Sequence, residues 1–257
     1  MDLYSFAPIA AVLDAAHSVI TALIGLLDPV AGGLAAALAV VLVTVVVRLA
    51  LLPASIATVR GEIERRRLAP RLAALRKRYS SNPELLQRKT MELYSSERVS
   101  PFAGCVPALI QAPILSVLYA LFAVTVIGGH PNALLEQQFL GLPLGTSFLH
   151  AIGAGSPPLE LLVFVVLLSG IGLVAWFSRR VTQRYTQSSA DEVPAAVRSM
   201  AGILSWMPFL TIVFAALVPL AATLYLAVST TWTLVERQVL RRVLDPGPGA
   251  APVAQPS

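Results

Sequence analysis

Residues 34–53 read LAAALAVVLVTVVVRLALLP, a run of Leu, Ala and Val interrupted by one charge, Arg48. At about 1.5 Å per helical residue, a stretch of this length matches the ~30 Å hydrocarbon core of a bilayer. Pro53 brings no N–H to the helix and its ring collides with the preceding turn, so it ends or kinks the span there. The rest of the chain has the same character: of 257 residues, 56% are apolar and 13% charged, with a mean hydropathy of +0.74. A soluble domain carries roughly twice that charge. The single cysteine, Cys105, excludes an intrachain disulfide framework. No glycine-rich phosphate loop, HExxH or paired CxxC is present, which argues against an NTPase or a common zinc site. No cofactor or metal is expected, and no covalent chemistry.

Outward from that stretch, the sequence divides into charge-free and charged segments. The first span is placed at 30–53, the second at 101–127, the third at 159–177, and residues 200–235, charge-free throughout, are divided into a hairpin of two spans at 201–217 and 219–235. Pro107 and Pro113 predict bending within the second span. Between the first two spans, residues 54–100 form a polar segment in which IERRRLAPRLAALRKRY and ELLQRKTMELY are helical patterns joined by the turn SSNP. Two helices and a short turn make an antiparallel hairpin. Ser81 or Asn82 can cap its second helix, and Pro83 and Glu84 suit the first turn.

Nineteen Lys and Arg outnumber fourteen Asp and Glu, and their positions set the orientation. Eleven basic residues lie in 54–100, four in the loop 178–200 and three in the tail 236–257, while 1–47 and the loop 128–158 have none. Cytoplasmic loops near spans are enriched in Lys and Arg. The alternation therefore predicts an all-α membrane protein of five transmembrane helices, with the N-terminus outside, the C-terminus cytoplasmic and a cytoplasmic helical hairpin. Residues 1–29 lack the basic start of a secretory signal. Leu13, Ala16, Ile20, Leu23 and Leu27 recur at helical spacing, which suggests an amphipathic helix on the outer face; a second reading makes 9–27 a further span.

Arg48 carries the functional question. A guanidinium in the bilayer core costs from about 3 to more than 10 kcal/mol, so something must offset it. Either the side chain snorkels to the inner headgroups, or it faces a wet cavity and attracts acidic or polar groups. Polar walls for such a cavity are available in Gln111 and Tyr119 of the second span and in Tyr225, Ser229 and Thr233, spaced at four on one face of the last. Thr230 lies in the neighbouring row. Each such hydroxyl can instead bond back to its own helix.

MELYSSERVSPFAGCVPALIQAPILSVLY (91–119), with LAPRLAALRKRY before it, resembles the YidC/Oxa/Alb family of membrane protein insertases. The shared features are Arg48 in the first span, the hairpin, Gly104 with Cys105, Pro107 and the run from Leu109 to Pro113; a weaker echo runs through Met207, Pro208, Pro219, Leu224, Tyr225 and Ser229. The likeness covers about residues 34–236. Departures are Ser100 for the usual Asn, Leu226 for Trp, Ala221 and Ala222 for a glycine, and Thr230 for Asn, which thin the polar wall. The resemblance implies a nucleotide-independent insertase and chaperone in a bacterial plasma membrane, with a hydrophilic groove open to cytoplasm and lipid. Its implied partners are nascent membrane proteins and membrane lipids, with a Sec-type translocon and the ribosome as further candidates, and no DNA. The short tail lacks the long basic extension that some relatives use for ribosome docking. The competing reading is a small-solute or anion transporter with Arg48 as its binding site, although no internal repeat of the kind common in transporters is visible.

Overall fold

Two glycines interrupt the first apolar run. In the computed structural model, which describes residues 7–97, 99, 116–117, 120–121, 126–127, 130–187 and 205–245, helix α1 (Ala7–Ala31) ends in a short 3-10 turn over Gly32–Leu34 before α2 (Ala35–Ala50) begins. Gly32 takes a φ of +47°, a left-handed conformation that costs glycine nothing. α1 packs against α2. Leu13 and Ile20 of α1 are buried in one cluster with Ala36, Ala39 and Val40 of α2. The small side chains at the start of α2 let the backbones approach closely, as helices packed in membranes commonly do.

The second break lies one turn after Arg48. Pro53 has no N–H to offer the carbonyl of Leu49, so α2 stops at Ala50, and α3 (Leu52–Arg78) restarts with the proline in its first turn. Leu51 alone separates the two, its N–H still bonded to the Val47 carbonyl at 3.0 Å. α3 then runs without interruption into the hairpin, past Pro70, and turns at 79–82 into α4 (Pro83–Ser96). Asn82 caps α4, its side-chain oxygen accepting from the Leu85 N–H at 3.0 Å. Arg71 bonds Glu97 across the hairpin. Lys89 hydrogen-bonds Glu92 at 2.6 Å and so draws that carboxyl below its ordinary range.

Residues 101–115, and with them Gly104, Cys105, Pro107 and Gln111, lie outside the described residues, as does Tyr119; residues 116–117 and 120–121 are helical, and Ala120 and Leu121 are fully buried. Two short antiparallel ribbons follow, β1 (Val126–Ile127) with β2 (His130–Pro131) and β3 (Gln138–Phe139) with β4 (Leu142–Pro143), then the single-turn helix α5 (Phe148–Gly153). Helix α6 (Pro158–Gln187) continues past Phe177. There Arg180 stacks on Trp176 at 3.8 Å and Arg179 on Trp206 at 4.0 Å, an arrangement in which the ring faces attract the guanidinium. α7 (Met207–Leu217) and α8 (Leu220–Leu244) are separated by Val218 and Pro219.

The chain is therefore mostly helical. Ala11–Ala50, folded by the turn at Gly32, and Pro158–Gln183 are each long and apolar enough to cross a membrane, and α7 is apolar but shorter. α8 does not join them because its charge-free stretch ends at Val235, before Glu236 and Arg237, and Thr223, Tyr225, Ser229, Thr230, Thr231 and Thr233 dilute its hydropathy further. α8 packs against both α2 and α6, α7 packs against α6, and α3 packs against α8. Phe164 and Ile171 of α6 and Leu220, Ala221 and Tyr225 of α8 form the centre of the core.

One end of this bundle is sealed by the segment after β2. Asn132, buried, donates to the Leu121 carbonyl at 2.5 Å and accepts from the Leu134 N–H at 3.2 Å. Leu134, Leu142 and Leu144 are buried beneath it. The first N–H groups of α8, which have no partner within their own helix, are taken up by this segment: Leu220 N–H bonds the Thr146 carbonyl at 2.8 Å and Ala221 N–H that of Leu144 at 3.2 Å.

Candidate functional site

At the other end the helices part around Arg48. A cavity of about 510 Å³ opens between α2, α3, α6, α7 and α8. Among the described residues its walls are Arg48 and Leu51, the α3 face Ala54, Ser55, Thr58 and Val59, the α6 side chains Ile171, Val174, Ala175 and Ser178, Pro208 and Thr211 of α7, and a stripe along α8. That stripe runs from Leu226 through Ser229, Thr230, Thr233, Glu236 and Arg237 to Leu240, steps of three and four that keep to one helix face.

Arg48 is half-buried, and its Nη2 donates to the hydroxyl of Ser229. Ser229 is 2% exposed, so the guanidinium reaches across the cavity to a partner that solvent scarcely touches. The threonines are committed otherwise. Thr230 Oγ1 donates to the Leu226 carbonyl at 2.7 Å and Thr233 Oγ1 to that of Ser229 at 2.9 Å; Thr58 does the same toward Ala54 at 2.9 Å. Their hydroxyl hydrogens are satisfied within their own helices, leaving oxygen lone pairs toward the cavity.

Of the residues the sequence nominated, Arg48, Ser229, Thr230 and Thr233 thus line one cavity. Tyr225 does not; it is 2% exposed and lies in the apolar core, one turn before Ser229. Gln111 and Tyr119 lie outside the described residues.

Sequence reasoning missed the far half of the site. α8 continues beyond Val235 to Leu244, which places Glu236 and Arg237 on the cavity wall rather than in a tail. Arg237 Nη2 meets Glu62 Oε1 at 2.5 Å, and Arg241 Nη2 meets Glu62 Oε2 at 2.9 Å. One carboxylate of α3 thereby holds two guanidinium groups of α8, and Arg66 approaches Asp245 at 3.9 Å one turn further on. These contacts fasten the first turns of α3 to the last turns of α8 and close that side of the cavity. Glu236 is different: its Oε1 is buried and has no hydrogen-bond partner among the described residues. The available signal was the spacing itself, since Ser229, Thr233 and Glu236 continue one row.

A family profile described as "60Kd inner membrane protein" matches residues 27–246. The chain belongs to that family, the family of YidC. It is 33% identical over 172 residues to a membrane protein insertase YidC of Clostridium perfringens, covering 65% of this chain and 64% of the relative. Similar proteins of the same name from Zymomonas mobilis and an Anaeromyxobacter species are 28% and 29% identical over 73% and 83% of the chain. The chain spans 30% and 34% of the length of those two. The family's matched region takes in α2 with Arg48, the hairpin, and α8 through its ion pairs with α3.

Proposed function

We propose that this protein is a membrane protein insertase that moves short polar segments of client proteins into the bilayer through the Arg48 cavity. The observation that carries the reading is the Arg48–Ser229 contact inside a cavity whose walls set hydroxyl and charged groups among aliphatic ones, in a chain of the YidC family. In this reading the spans are those the charge map predicts, the cavity faces the cytoplasm and the lipid, and the end capped by Asn132 and Thr146 faces outward. A polar segment entering the cavity crosses only the sealed half of the bilayer without water. Arg48 attracts acidic or polar residues of that segment, because a guanidinium in a partly desolvated site acts on charge far more strongly than one in water. The client's own span then leaves sideways into lipid, each Leu-like residue contributing a few tenths of a kcal/mol. No nucleotide enters. The hairpin, with its exposed basic residues, meets the nascent chain or anionic headgroups first, and a Sec-type channel and the ribosome are the natural upstream partners.

The test is reconstitution of the purified protein in liposomes with a short single-span client, scored by protection of its translocated tail from protease. Client insertion above that of protein-free liposomes is the expected result. Anion flux without insertion would favour a transporter that uses Arg48 as its site.

A further inference from the structure

We infer that Glu236 is a second, cation-selecting subsite of the Arg48 cavity, which favours clients carrying a Lys or Arg close to the polar residue that engages Arg48. The inference rests on the insertase reading above and adds to it the charge pattern of the preferred client. Its starting point is a carboxylate oxygen that lines a cavity, is buried, and has no donor among the described residues. A carboxylate oxygen held out of bulk solvent is best met by a charged N–H donor, whose hydrogen bonds to it are the strong ones. The nearest cations on the same helix do not fill that role: Arg237 and Arg241 are both engaged by Glu62 of α3. Glu236 makes no ion pair among the described residues.

Its position gives the subsite a direction. Glu236 follows Ser229, the partner of Arg48, by two helical turns on the same cavity-facing stripe, a rise of about 10 Å. Along α8 the cavity thus presents the Arg48 guanidinium toward the sealed core and the Glu236 carboxylate toward the end held by α3, where the neighbouring Arg237 is bound by Glu62. An extended polypeptide covers ~10 Å in about three residues. A client with an acidic residue at one position and a basic residue three positions nearer the cytoplasm meets both charges at once; a client with acidic residues at both positions meets one attraction and one repulsion.

The experiment uses the full chain in liposomes and a single-span client with one Asp in its translocated segment and Lys, Gln or Glu three residues nearer the cytoplasm. The readout is the ratio of insertion yields within one preparation, which cancels differences in the amount of folded protein. The wild-type protein is expected to insert the Lys client roughly two- to fivefold better than the Gln client, the range of a partly exposed ion pair. That ratio should fall to about one in Glu236→Gln and persist in Glu236→Asp. In Glu236→Arg the preference should pass to the Glu client, a gain that misfolding cannot produce. A wild-type ratio of one, or a ratio unchanged by Glu236→Gln, overturns the subsite while leaving the insertase reading in place. Absence of insertion for all three clients overturns both.

Discussion

From Leu220 to Tyr225 every residue of α8 is buried, whereas from Ser229 to Leu240 one face of the same helix looks into the cavity. Both halves carry hydroxyl residues, and they are used in opposite ways. Thr223, fully buried, donates across the helix pair to the Ala215 carbonyl at 2.7 Å and sits 3.3 Å from that of Pro219. It mends the gap between α7 and α8, where Pro219 interrupts the backbone ladder. Ser229, two turns later and as deeply buried, holds a charge. What separates the halves is their neighbours: apolar side chains of α2 and α6 enclose the first, while the second faces α3, whose Ala54, Ser55 and Thr58 line the cavity with it. One helix thus runs from a dry core into a cavity lined in part by hydroxyl and charged groups.

The largest effect should come from opening the dry half. Phe164 is fully buried and its ring lies 5.6 Å from that of Phe148 in the segment that caps α8. Phe164→Ala should cost about 3–5 kcal/mol, the usual range for emptying an aromatic site in a core, and should be seen as a lowered thermal transition of the detergent-solubilised protein. Loss of insertion should follow loss of fold in that variant. At the wet end the order reverses: Arg48→Glu should leave the transition within a few degrees of the wild type and yet reduce insertion of acidic-tailed clients by about tenfold or more, as expected for a charged hydrogen bond worth ~1.5–3 kcal/mol. Neutral clients should suffer less. Equal loss for both classes, or a transition lowered as far as that of Phe164→Ala, would erase the distinction between the two ends.

The sequence made much of this contrast legible, for reasons that differ by residue. Helical content and membrane class followed from apolar runs that only a bilayer or a large core accommodates. Asn82, one of two capping candidates, is the one whose side chain meets the helix N-terminus, because it directly precedes Pro83. The four-residue spacing of Ser229 and Thr233 put them on one wall, but spacing could not tell that Tyr225, on the same row, points into a core built by α2 and α6. Nor could it reveal the α3 wall. That depends on Pro53 restarting a helix within a single residue, where the sequence left open a stop or a kink. Glu236 and Arg237 were hidden by their charge, which reads as the end of a span, whereas the helix runs on to Leu244 and pairs Arg237 and Arg241 with Glu62.

Those ion pairs give the next effect in size. Glu62→Gln removes the negative charge shared by Arg237 and Arg241 and one of the two acceptor oxygens, and should loosen α3 from α8 by about 1 kcal/mol, since the groups are partly exposed. Hydrogen exchange of the backbone over residues 55–66 and 237–244 should quicken together, and in the wild type the same segments should quicken as salt is raised. The sealed end, held by backbone bonds from Leu220 and Ala221 rather than by charges, should not respond to salt. A uniform response along α8 would mean that the ion pairs do not govern the cavity wall.

The smallest expected effect lies outside both halves. Asn82→Ala removes the cap of α4 and should cost about 1 kcal/mol of helix stability, confined to the hairpin because α4 packs on α3 and its N-terminus is exposed. Exchange at 84–88 should rise severalfold while residues 220–226 keep their protection. Insertion yield at saturating client should hold, and the initial rate should fall if the hairpin captures clients first. A lowered yield with an unchanged rate would assign the hairpin to the cavity itself, and the two-ended description of α8 would then need a third element, the loop at 79–82, as part of its wet wall.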